Sequence, residues 1–219
     1  MAARFRTVVV DVDSTLSAVE GIDWLASRRS DAVRTHVAET TARAMRGELR
    51  LGEIFASRLD LVAPSRQEVA ELAAEYVSRL QPGAAQSLAK LTDSGVRVVL
   101  VSGAIRDAIL PLARHLGIPE HEVNAVPVYF AEGGAYKGFD QASPLTQNGG
   151  KAVLVRALGL DGPILGVGDG ITDLELKTTL PPAVDSFAAY TGVINRPAVV
   201  GAADYVISDF GELPEIVLG

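Results

Sequence analysis

The chain has 219 residues, 48% hydrophobic and 21% charged, with a formal net charge of −7. That is enough apolar material for a substantial core, while the acidic balance disfavours a partner such as nucleic acid or an anionic membrane bound non-specifically. There are no cysteines, which excludes disulfides, zinc–thiolate centres and thiol nucleophiles together and fits a reducing cytoplasm. No run approaches the roughly 18 apolar residues of a membrane span.

Met1 to Val10 is an apolar run broken by Arg4 and Arg6 that passes straight into acids, without a small-residue cleavage site. It is expected to be the first strand of a folded domain and not a signal peptide. From Thr7 the β-branched run ends in Asp11-Val12-Asp13-Ser14-Thr15, the pattern of a buried parallel strand with polar residues at its carboxyl end. Residues 17–80 differ: helical periodicity, many Ala and Arg, and breaks at Gly47, Gly52 and Pro64-Ser65. Ser65 with Glu68 three positions on predicts a capping box opening a helix that runs to Leu80, and Pro82-Gly83 ends it. This block is expected to be a helical cap inserted after the first strand, leaving 1–16 and 81–219 as the core.

Val96–Val101 before Ser102-Gly103 predicts the next strand, and the helix 107–116 stops at Gly117. Val126–Phe139, centred on Glu132-Gly133-Gly134, predicts a β-hairpin. A helix from Lys151 to Leu158 stops at Gly159; Ile164–Val167 before Gly168-Asp169, Ala183–Phe187 and Tyr205–Ile207 are further strands. Strands alternating with helices predict an α/β, Rossmann-like three-layer sandwich with a mostly parallel sheet, whose right-handed crossovers bring the strand carboxyl ends to one edge.

Ligands of such sheets bind at that edge. The sequence puts Asp11, Asp13, Ser14 and Thr15 there, then Ser102 and Gly103, then Asp169, Gly170, Thr172 and Asp173, with Lys151 opening a helix after Gly149-Gly150. Asp11 and Asp13 alone read equally well as turn formers or N-caps. With Asp169 and Asp173 converging on them, crowded carboxylates call for a hard divalent cation, and oxygen ligands suit Mg²⁺. Asp11, fixed at a strand end, can attack phosphorus and form an aspartyl-phosphate. Asp13 can protonate the departing alkoxide and then deprotonate the hydrolytic water. Ser102-Gly103 alone is an ordinary turn and Lys151 alone a solvated helix residue; read with the acids, both clamp phosphoryl oxygens, helped by the free N–H groups of a helix start. His36, His115 and His121 read as surface residues.

These motifs resemble the haloacid-dehalogenase-like phosphatases and, within them, the phosphoserine phosphatases along nearly the whole chain. The shared features include Glu20-Gly21-Ile22-Asp23, Ala44-Met45, Arg58-Leu59, Pro64-Ser65-Arg66, Gly138-Phe139-Asp140 and Gly168-Asp169-Gly170-Ile171-Thr172-Asp173. The resemblance implies Asp11 as nucleophile and Asp13 as acid/base. It implies Mg²⁺ held by Asp11, the main-chain carbonyl of Asp13, and Asp169, supported by Asp173. Ser102, Gly103 and Lys151 would contact phosphate, Thr172 would line the same pocket, and Met45 would be a further substrate contact. Glu20 and Arg58 would read the amino and carboxylate groups of serine; an anion facing an ammonium and an Arg fork facing a carboxylate suit a zwitterion, whereas without the resemblance the two read as a surface ion pair. The implied reaction is hydrolysis of O-phospho-L-serine to L-serine and phosphate, the alternative being another small phosphomonoester such as a sugar or amino-alcohol phosphate.

Some positions depart from the family pattern: Arg46 in place of Gly, Leu51 in place of an aromatic, Ala104 in place of a second Gly, and Ala189-Tyr190-Thr191-Gly192 in place of a glycine-rich turn. They bear on which substrate is taken, not on hydrolysis. A receiver-type signalling domain would lack Asp13 and the insert, and a dehalogenase would need no metal.

Overall fold

Thr7–Val10, β1, is buried at every residue, as a strand must be when helices cover both faces of its sheet. The computed structural model describes residues 3–46 and 48–219, with the side chains of Met45, Leu51 and Glu53 outside that description. After β1 come four helices, α1 (Gly21–Ala26), α2 (Asp31–Met45), α3 (Leu51–Val62) and α4 (Arg66–Ser78), and then α5 (Ala84–Asp93). The chain continues through β2 (Arg97–Ile105), α6 (Arg106–His115), β3 (Val123–Val126) and the pair β4 (Val128–Phe130) and β5 (Tyr136–Phe139). It ends with α7 (Gly150–Ala157), β6 (Ile164–Gly168), α8 (Ile171–Thr178), β7 (Ser186–Tyr190), α9 (Pro197–Val200), β8 (Tyr205–Ile207) and α10 (Leu213–Leu218).

The main sheet has the order β3-β2-β1-β6-β7-β8, and each neighbouring pair is parallel. The chain therefore builds outward from β1 on one side, then returns to build outward on the other. The reversal puts a crevice at the carboxyl ends of β1 and β6, where such sheets bind ligands. Val10 lies level with Val167, and the Asp11 N–H donates to the Val167 carbonyl at 3.0 Å. Asp11 and Asp169 thus emerge side by side.

The helical stretch before α5 is welded to the sheet layers. One apolar cluster includes Val10, Val12 and Ile109 together with Phe55, Leu59, Leu72 and Tyr76, and α4 lies along α6. The β4–β5 hairpin grips the turn between α3 and α4: the Gly134 carbonyl accepts from Arg66 N–H at 2.8 Å, Tyr136 Oη donates to Asp60 at 2.8 Å, and the Arg66 guanidinium lies 4.8 Å from the Phe130 ring centre. The capping box of α4 is formed, Ser65 Oγ accepting from Glu68 N–H and the Glu68 carboxylate from Ser65 N–H.

Four expected boundaries move. α4 ends at Ser78, two residues short of Leu80. β2 continues through Ser102-Gly103 to Ile105. Val126 closes the edge strand β3 of the main sheet, and the hairpin begins only at Val128, because Pro127 has no N–H to continue a ladder. The strand expected over Ala183–Phe187 is β7 at Ser186–Tyr190. Ala183 and Val184 are buried but follow α8 as a connection, and the ladder to β6 starts where Ser186 comes level with Leu165. Among the described residues no helix is long and apolar enough to cross a membrane.

Candidate active site

Three strand-end and helix-start acids meet in the crevice. Asp11 follows β1, Asp169 follows β6 and Asp173 lies in the first turn of α8; one carboxylate oxygen from each lies within 4.8 Å of the other two, and all three residues are buried. Lys151, in the first turn of α7, reaches between them, its Nζ 2.7 Å from Asp11 Oδ1 and 2.6 Å from Asp173 Oδ1. Asp173 Oδ2 accepts from Gly170 N–H at 2.9 Å. That approach depends on Gly168: a Cβ there would fall 2.3 Å from the Asp173 carboxyl carbon. Asp169 accepts from Thr15 Oγ1 and from Arg196 Nε, both at 3.0 Å.

The electrostatics are unbalanced. Burial, reinforced by Asp173, holds the Asp11 carboxyl well above its ordinary range despite Lys151. Burial and Asp173 likewise push Asp169 up to about 6 against the pull of Arg196 and Thr15. Burial would discharge Lys151, but Asp11 and Asp173 outweigh it and hold the ammonium above its usual range. Three crowded, desolvated carboxylates facing one ammonium and one guanidinium are short of positive charge. An all-oxygen donor set of this kind fits a hard divalent cation.

Asp13 stays out of that cluster. The chain leaves β1 through a turn in which Ser14 takes a left-handed φ of 52°, a conformation non-glycine residues adopt uncommonly and usually at functional sites. The turn swings the Asp13 carboxylate toward the helices. There Oδ1 accepts from Tyr76 Oη at 2.5 Å and Oδ2 from Gly21 N–H at 2.9 Å. Burial pushes Asp13 up to about 6 while those two hydrogen bonds oppose it.

A single cavity joins these groups to the helices. Asp11, Asp13, Lys151, Asp169 and Thr172 line one wall, Ser102, Gly103 and Ala104 another, and Glu20, Ile22, Phe55 and Arg58 the side facing them. Ser14 Oγ donates to Glu20 at 2.7 Å, and burial with Asp13 and Asp169 nearby holds the Glu20 carboxyl well above its usual range. Arg58 is 4% exposed. Among the described residues it pairs with Asp23, at 3.4 Å, and its Nε has no acceptor; burial lowers its proton affinity and the surrounding acids only partly restore it. Arg46 turns outward and pairs with Glu48 at 2.6 Å. The side chains of Met45 and Leu51 fall outside the described residues.

Three cavity or supporting residues carry no signal in the sequence that sets them apart. Phe55 stands one helical turn beyond Leu51 and packs edge-on against Phe139, ring centres 5.3 Å apart. Arg196 caps α9 and looks like any surface arginine. Tyr76 continues the apolar stripe Val69, Leu72, Ala73 and reads as core; the only hint is that a buried phenol needs a hydrogen-bond partner.

The profile of the haloacid dehalogenase-like hydrolases matches residues 8–176. The phosphoserine phosphatase of Arabidopsis thaliana chloroplasts is 39% identical over 211 residues, 95% of this chain and 70% of that protein. The mouse (Mus musculus) phosphoserine phosphatase is 38% identical over 209 residues, 94% of this chain and 90% of that one. A phosphoserine phosphohydrolase-like protein from Francisella tularensis has the same fold, with a TM-score of 0.87 at 24% identity over 96% of this chain and 99% of that chain. On the matched profile and these relatives, the chain belongs to the haloacid dehalogenase-like hydrolase family.

Proposed function

We propose that this chain is a Mg²⁺-dependent phosphomonoesterase that accepts the phosphoryl group on Asp11, and that its substrate is O-phospho-L-serine. The observation that carries the reaction class is the meeting of Asp11, Asp169, Asp173 and Lys151 in one buried crevice while Asp13 is held apart by its own donors. That arrangement supports a reading in which one carboxylate attacks and a second transfers protons. Residues 1–16 and 81–219 would form the catalytic core and 17–80 the cap. The cysteine-free composition supports a reducing compartment such as the cytoplasm.

Asp11, the carbonyl of Asp13 and Asp169 would hold Mg²⁺, with Asp173 supporting; bound there, the ion supplies charge neutralisation for the acids and the phosphate. Lys151 and Ser102, with the backbone at Gly103, bind phosphoryl oxygens, and Thr172 lines the same wall. Asp11 attacks phosphorus in line while Asp13 gives its proton to the seryl oxygen that leaves. Serine departs, Asp13 takes a proton from water, and that water releases inorganic phosphate from Asp11.

Substrate choice lies on the facing wall. The Nε of the buried Arg58, without an acceptor among the described residues, suits a carboxylate, since buried donors without acceptors cost free energy until a ligand supplies one. Glu20 offers a carboxylate to an ammonium. Met45 would be a further substrate contact. The Arabidopsis and mouse relatives, both called phosphoserine phosphatases, point the same way.

The test is phosphate release from a panel of esters, with Mg²⁺ and with chelator. The expected result is metal-dependent turnover with kcat/KM highest for O-phospho-L-serine. Undiminished turnover in chelator contradicts the metal requirement; a sugar or amino-alcohol phosphate hydrolysed better than phosphoserine contradicts the substrate.

A further inference from the structure

The donors to Asp13 come from the helices and not from the strand that delivers it. Gly21 N–H opens α1, and Tyr76 sits near the end of α4, 63 positions from Asp13. A carboxylate held at one oxygen can still swing about that bond, because the terminal torsion of Asp is broad. A second donor on the other oxygen fixes its plane. It also leaves lone pairs on each oxygen for a proton in transit, since a carboxylate accepts about four hydrogen bonds.

The surroundings of Tyr76 are built around this contact. The residue is fully buried, and a Cβ at position 21 would lie 2.2 Å from Tyr76 Oη, so Gly21 leaves room for the hydroxyl while its own N–H serves the other oxygen. The Tyr76 carbonyl accepts from Ser17 Oγ at 3.0 Å, and Ala18 N–H donates to the Arg79 carbonyl at 3.0 Å. The end of α4 is thus tied to the same segment that carries Asp13. The start of α4 is fixed by Glu68, which also receives Arg29 through two hydrogen bonds of 2.6 and 2.9 Å. Burial and the Asp13 charge hold the phenol well above its ordinary range, so it stays a neutral donor.

We infer that Tyr76 is a positioning residue for Asp13, its hydroxyl at 2.5 Å from Oδ1 fixing the plane in which that carboxyl meets the leaving group. The inference rests on the acid/base role proposed for Asp13. Among the described residues the Tyr76 hydroxyl donates to Asp13 and to no phosphate-binding residue, so removing that hydroxyl acts first on Asp13.

General acid help is needed by a poor leaving group and hardly at all by a good one, which gives a signature that loss of packing does not. Tyr76→Phe keeps the ring and removes the hydroxyl. With Mg²⁺, kcat/KM for O-phospho-L-serine should fall by about 10-fold or more, within the range of general acid catalysis, and by less than about 3-fold for p-nitrophenyl phosphate. Gly21→Ala, which forces the hydroxyl away, should show the same selectivity and serves if the first variant does not fold. Equal losses on both esters, or no loss on either, overturn the inference. Asp13→Asn run alongside separates the two claims. If it is selective for the poor leaving group and the Tyr76 and Gly21 variants are not, the Tyr76 role fails and the functional reading stands; if wild type releases phosphate from neither ester, the functional reading fails.

Discussion

The two walls of the cavity handle charge in opposite ways. At the sheet edge Asp11, Asp169, Asp173, Lys151 and Arg196 interlock at 2.6 to 3.0 Å and have more negative charge than they can settle among themselves. On the helical wall the half-buried Glu20 and the buried Arg58 are sparsely partnered among the described residues: one hydroxyl serves Glu20, and a long 3.4 Å contact to Asp23 serves Arg58. On the function proposed above, the first wall would take a cation and the second a zwitterion, the one carrying the reaction and the other the choice of substrate. Substitutions should therefore separate the two: sheet-edge changes should abolish turnover of every ester, and helical-wall changes should alter which ester is preferred.

The largest effect is expected at Asp11. Asp11→Asn should reduce turnover of every phosphate ester to background. In metal-free buffer it should also raise the melting temperature, because it removes a charge from the crowded cluster; a lowered melting temperature would show that the cluster is not in conflict. Asp13→Asn should cost about 10² to 10⁴-fold in kcat/KM for phosphoserine, measured by steady-state kinetics. Next comes Arg58→Met. KM for phosphoserine should rise about 10 to 100-fold, the value of charge-assisted hydrogen bonds, with little change for p-nitrophenyl phosphate, and the fold should be no less stable, since an apolar side chain replaces a poorly paired buried charge. Similar KM increases for both esters would erase the division between the walls.

The smallest effect concerns the base of the insert. Hydrogen bonds from Arg29 and Ser65 hold Glu68 down at about 2. A carboxyl depressed in the folded state stabilises it above the ordinary glutamate range and loses that contribution as pH falls toward the depressed value. Glu68→Gln should cost on the order of 2 kcal/mol at neutral pH, with the gap to wild type closing between about pH 4.5 and 2 in denaturant titrations. A gap that does not change with pH would place the stabilisation elsewhere.

The two walls were also unequally legible in the sequence. Asp11-x-Asp13-Ser14-Thr15 and Gly168-Asp169-Gly170 sit at the ends of apolar runs, and a parallel sheet puts such ends on one edge, so covalent order alone brought the acids together. The helical wall depends on contacts across long separations, such as Tyr76 to Asp13, made by residue types that belong as readily to a core stripe. Its proposed recognition residues, Glu20 and Arg58, were reached through family resemblance; without it they read as an ion pair, which the structure does not form. Strand β3 was hidden because Val123–Val126 runs into the hairpin across Pro127, and β7 was misplaced because Ala183 and Val184 are as apolar as a strand without being paired in one.

The account stands most directly on what becomes of Asp11 during turnover. Asp13→Asn, mixed with Mg²⁺ and O-phospho-L-serine, quenched in acid and reduced with borohydride, should yield homoserine at position 11 on peptide mass spectrometry, the mark of an acyl-phosphate. Phosphate release by wild type with Asp11 unmodified, or the mark on any other carboxylate, would contradict it.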